Sequence, residues 1–133
     1  MSNKEQYLFG ERTCVLVKEG SQTFISNQRG IRPMIDFINK DLDLNGYRAY
    51  DLIVGKAAAL LFVYAGISYV YGEVMSTSAT VVLTKHSVNF EYGTLTEKII
   101  NRKGDDICPM EKATLDIDDP QIAYLTLKAK IGL

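Results

Sequence analysis

The chain has 133 residues, 47% hydrophobic and 23% charged, enough apolar material for one continuous core and one domain over residues 1–133, with residues 1–12 as a lead-in. A formal net charge of -1 excludes the lysine and arginine surplus on which recognition of duplex nucleic acid depends. Cys14 and Cys108 are too few and too far apart for a disulfide framework or a closed zinc site, which points to reduced thiols and a cytoplasmic location.

In chain order, Thr13–Lys18 and Gln22–Ser26 flank Glu19-Gly20-Ser21, the pattern of a β-hairpin with a glycine-containing turn. From Gly30 the period changes. Ile31, Met34, Ile35 and Ile38 fall at i, i+3, i+4 and i+7, the stripe of an amphipathic helix, and Pro33 suits its first turn. After a polar connection over residues 41–46, Tyr50–Val54 leads into an alanine-rich helix with Gly55 and Lys56 in its first turn and an apolar run from Ala57 to Ala65, apolar nearly all round and therefore sandwiched. Its apolar run is far shorter than the roughly 20 residues that span a bilayer. No membrane association and no export signal are expected.

Gly66 ends that helix, and Ile67–Met75, rich in β-branched and aromatic residues, reads as a central strand. Ser76-Thr77-Ser78 supplies hydroxyl caps for another helix carrying Ala79, Val82 and Leu83. Val88–Tyr92 alternates as a half-buried strand closed by Gly93, and Leu95–Asn101 is expected to form a short helix. Pro109 starts a further turn. Asp118-Asp119-Pro120 opens a C-terminal helix whose face is marked by Ile122, Leu125 and Ala129. The alternation of helices and strands predicts an α/β fold with a mixed sheet that opens on the hairpin.

Three segments carry a resemblance: Arg29-Gly30-Ile31-Arg32-Pro33, Val54-Gly55-Lys56-Ala57-Ala58-Ala59 and Asp106-Ile107-Cys108-Pro109-Met110-Glu111-Lys112-Ala113. With the order of elements, they resemble an uncharacterised prokaryotic family that has a cytidine-deaminase-like fold and lacks the zinc-binding motifs. The resemblance covers roughly residues 12 to 130 and implies a three-layer α/β/α sandwich with no established activity. Zinc deaminases place His-x-Glu or Cys-x-Glu at one helix start and Pro-Cys-x-x-Cys at the next. Here Val54, Lys56, Ala79 and Val82 stand at those places, so neither a metal nor another cofactor is expected, and zinc-dependent deamination is not.

The implied crevice directs attention to a small set of residues. Gly55 and Lys56 at one helix start, with Ser76, Thr77 and Ser78 at the other, are expected to bind a small anionic or nucleotide-like molecule through an ammonium, backbone N–H groups and hydroxyls. Arg29, Arg32 and Arg102 are further anion contacts. Each has a plainer role as cap or solvated charge. An enzyme is the alternative, with Cys108 as nucleophile or Lys56 as a base or Schiff-base amine, and with Glu111 one turn from Cys108. Glu111 also suits capping or pairing with Lys56. A structural homo-oligomer is the third reading, with the tyrosine-rich Ile67–Met75 segment as its interface.

Overall fold

In a computed structural model that describes residues 4–100, 103, 104 and 106–133, the chain forms one five-stranded mixed sheet and six helices among those residues. In order these are α1 (Lys4–Tyr7), β1 (Cys14–Val17), β2 (Phe24–Ser26), α2 (Arg32–Asn39), β3 (Arg48–Val54), α3 (Lys56–Ala65), β4 (Tyr69–Ser76), α4 (Thr77–Lys85), β5 (Asn89–Thr96), α5 (Pro109–Ala113) and α6 (Pro120–Lys130). The strands lie in the order β2-β1-β3-β4-β5. β1 runs antiparallel to β2 and β3, while β3, β4 and β5 are parallel, joined by the crossover helices α3 and α4. No described helix is long and apolar enough to cross a membrane.

Alternation along β1 divides the molecule. Cys14 and Leu16 face the main core, to which α2, α3, α4 and α6 all contribute; Val15 and Val17 face a smaller cluster built from Tyr50, Tyr71, Tyr69, Tyr7 and Leu8. The four longer helices are thus gathered over one face of the sheet. Among the described residues, the other face is covered by the α1 segment and a group of tyrosines, with Tyr7 and Tyr50 rings 4.5 Å apart. The second helical layer of a three-layer sandwich is reduced here to that short segment.

The alanine-rich helix occupies the centre, as its unbroken apolar surface requires: Ala57 through Phe62 are all buried. Gly66 ends it at φ 82°, a left-handed conformation that glycine adopts without steric cost. Local signals also place the other helix starts. Ser76 Oγ accepts from the Ala79 N–H at 3.1 Å, and Asp119 caps α6 through the N–H groups of Gln121 and Ile122.

Three expectations are corrected. Residues 48–54 form a strand, β3, in the middle of the sheet, not a mere approach to α3. Its burial runs through Ala49, Tyr50 and Asp51 without alternating, because both faces are covered there, and so it lacks the period-2 signature. Gly93 does not close β5, which continues to Thr96 and leaves no helix at Leu95. The glycine serves a close approach instead: a Cβ at Gly93 would stand 2.8 Å from the Glu73 carbonyl oxygen on β4. Downstream, Ile100 makes an antiparallel bridge to Ile107. Finally, α6 buries Ala123, Tyr124 and Leu127, while Ile122, Leu125 and Ala129 face outward.

Candidate functional site

The start of α3 is closed by the protein itself. Glu111, on α5, accepts hydrogen bonds from the Lys56 N–H at 2.8 Å and the Ala57 N–H at 2.9 Å, one to each carboxylate oxygen. Unpaired N–H groups and the positive end of the helix dipole make this a natural place for a carboxylate. Gly55 makes room for it, since a Cβ there would lie 2.3 Å from Glu111 Oε1. The Lys56 ammonium turns to the connection between α5 and α6, pairing with Asp118 at 3.2 Å and donating to the Leu115 carbonyl at 3.1 Å. Glu111 therefore pairs with the backbone of Lys56 and not with its ammonium.

The start of α4 is similarly occupied. Ser76 is fully buried, caps Ala79 and lies 3.0 Å from the Ser78 hydroxyl, while Thr77 donates to the Glu97 carbonyl at 3.4 Å. Between the two helix starts, Val54, Met75 and Ala79 pack with no exposed surface. Arg32 pairs with Asp36 one turn along α2 at 3.0 Å. Arg102 lies outside the described residues.

A cavity of about 1080 Å³ lies nearby, at the C-terminal end of β3. Asp51, Leu52 and Ile53 form one wall, Arg29, Gly30 and Ile31 before α2 another, and Cys108, Pro109 and Met110 a third; Thr13, Ile99, Ile100, Lys103, Asp106 and Ile131 are the other described residues that line it. Gly55, Lys56, Ser76, Thr77, Ser78 and Arg32 do not line it, whereas Cys108 and Arg29 do. At its rim Lys112 pairs with Asp106, whose carboxyl is held below the usual range by that hydrogen bond and by the Ile107 N–H.

Asp51 is the residue that sequence reasoning missed. It is only 5% exposed, directly opposite Cys14 across the β1–β3 pair, and therefore on the helix-covered face of the sheet. Burial raises its pKa to about 8 against the weaker, opposing effect of the Leu52 and Ile53 N–H groups. Burial thus favours the acid form of Asp51 at neutral pH. Cys14, fully buried, has its thiol pushed well above its ordinary range, first by burial and then by the charge of Asp51. The only available signal was a single carboxylate inside the apolar run Tyr50–Val54.

A mostly apolar cavity with a neutral carboxyl in its wall and two cations, Arg29 and Lys103, among its lining offers three modes of contact: dispersion, a paired donor and acceptor, and positive charge. Cys108 adds a half-buried thiol. His86, the only histidine in the chain, caps the C-terminus of α4 and is not in the lining, so no imidazole stands beside that thiol.

Comparison with curated proteins finds no match. Among solved structures, the chain is similar to a DUF1893 family protein (TM1506) from Thermotoga maritima, with 25% sequence identity and a TM-score of 0.80 over 90% of this chain and 80% of that one. A family model described as TM1506, domain of unknown function (DUF1893), matches residues 4–131. With nearly its whole length matched by that model, the chain belongs to the DUF1893 family.

Proposed function

We propose that this domain is a binding module for a small anionic or nucleotide-like molecule, held in the cavity at the end of β3 and not between the starts of α3 and α4. The observation that carries the reading is Asp51, a buried carboxyl with a pKa of about 8 in the wall of a mostly apolar cavity. A neutral acid donates one hydrogen bond and accepts another, which suits an amide-like or heterocyclic edge. Ile31 and Met110 pack against the body of the ligand, and Arg29 and Lys103 meet its anionic group. The cytidine-deaminase-like assignment of the fold belongs to the same proposal. It is supported by a hairpin followed by three parallel strands with two crossover helices.

The test is a thermal-shift screen over small phosphorylated and carboxylated metabolites. A molecule that raises the melting temperature of the wild type is expected to lose most of that effect in Arg29→Ala and in Asp51→Asn, and to keep it in Lys56→Met. Retention in the first two with loss in the third would return the ligand to the start of α3. A screen without a single stabilising molecule would remove the binding reading.

A second reading, an enzyme with Cys108 as nucleophile, is favoured by one observation: the Cys108 thiol lines the same cavity. Alkylation of Cys108 much faster than that of a free thiol at neutral pH would support it, and slow labelling would leave Cys108 as a packing residue.

A further inference from the structure

We infer that α5 is a hinged wall of the cavity, latched to the start of α3 by Glu111, and that release of this latch swings Cys108, Pro109 and Met110 outward and opens the cavity. A helix of five residues is too short to be stable by itself, so α5 stays where its attachments hold it. None of its residues is buried; Met110 and Ala113 only lean on the main core. Few buried apolar contacts are the mark of a segment that opens without the rest of the protein.

The two ends of α5 are held differently. Directly after it, Thr114 is fully buried, and the Lys56 ammonium grips the following connection at the Leu115 carbonyl, 3.1 Å, and at Asp118, 3.2 Å. That end is the hinge. Towards the other end the attachments are polar: the Glu111 carboxylate on the Lys56 and Ala57 N–H groups, the Cys108 N–H donating to the Ile99 carbonyl at 2.8 Å, and the exposed pair of Lys112 with Asp106. One short helix therefore presents Met110 to the cavity and Glu111 to α3. Gly55 is the counterpart of the latch, since the three atoms nearest to a Cβ placed there all belong to the Glu111 carboxyl. At φ -99° its backbone is open to any residue, so the glycine provides space for the carboxylate and not conformational freedom. That the opening admits a ligand rests on the binding reading above, whereas the movement is measured without one; a metabolite screen that finds nothing removes that reading and leaves the movement standing.

The experiment is native-state amide exchange of the whole protein by NMR, beside iodoacetamide labelling of its two cysteines. The Lys56 and Ala57 N–H groups have no partner within α3, so their protection reports the latch, while fully buried Cys14 labels only when the whole fold opens. In the wild type these two amides should be protected, yet exchange at least about ten-fold faster than those of Leu60 and Leu61 in the same helix. Glu111→Ala, and Gly55→Ala by displacing the carboxylate, should abolish that protection and speed the labelling of Cys108 at least about five-fold, with Cys14 unlabelled over the same time. Glu111→Gln, which keeps an acceptor, should label more slowly than Glu111→Ala. Exchange of Lys56 and Ala57 in step with Leu60 and Leu61 overturns the inference, because α5 then leaves only on global unfolding; exchange at the free-peptide rate overturns it because no latch exists. An unchanged Cys108 rate in Glu111→Ala, or an acceleration shared equally by Cys14, also overturns it.

Discussion

Two carboxyl groups near neighbouring strand and helix ends have opposite surroundings. Glu111, on the outer side of the α3 start, receives two backbone N–H groups at the positive end of a helix, and those N–H groups are thereby satisfied within the chain. Asp51, on β3, is enclosed, and burial pushes it towards its neutral form. The same functional group closes one candidate site and gives the other its polar character. A helix start by itself is therefore poor evidence for a ligand, because a side chain distant in sequence can occupy it first.

The widest test of this contrast is pH. Asp51 has a raised pKa in the fold and an ordinary one near 4 when unfolded, so between about pH 4 and about pH 8 the folded state holds a proton that the unfolded state has released. Stability therefore falls as pH rises through that window, with a limiting slope of about 1.4 kcal/mol per unit from this residue, and levels off above it. Asp51→Asn is expected to remove that slope, measured by urea unfolding at pH 5 and pH 7, where the difference between the two proteins amounts to about 2–3 kcal/mol. Parallel profiles for wild type and variant would show that Asp51 is ionised in the fold.

An effect of similar size belongs to the other carboxyl. Glu111→Ala leaves two N–H groups at the start of α3 without partners and should cost about 2–3 kcal/mol, while Glu111→Gln, which keeps an acceptor, should cost about 1 kcal/mol, both read from urea midpoints. Equal midpoints for Glu111→Ala and wild type would mean that water serves the helix start equally well. The smallest change is Lys56→Met. Its ammonium pairs with a largely exposed Asp118, so the loss should stay below about 1 kcal/mol and shift the melting temperature by only a few degrees. A larger loss would show that this pair is what joins the start of α3 to the connection before α6.

Much of the fold was legible because its signals act over a few residues. The hairpin, the stop at Gly66, the Ser76 cap and the Asp119 cap each depend on neighbours within one turn, and each is where the sequence places it. β3 was not legible as a strand, because covering both of its faces removes the alternation by which strands are read. At α6 the period was right, and Ile122, Leu125 and Ala129 do form one face, but the core takes the other, Ala123, Tyr124 and Leu127. Periodicity states that a face exists and cannot choose between two.

Sequence alone determined the α/β class, the central position of the alanine-rich helix and the helix caps, since composition, period and capping chemistry are local properties. Tertiary structure alone decided that Glu111, 55 residues away from Lys56, fills the start of α3, that Asp51 is buried with its pKa raised, and that Cys108 and Arg29 share a cavity with it. Desolvation and long-range hydrogen bonding depend on what lies across a gap in space, and the order of residues along the chain does not record that distance.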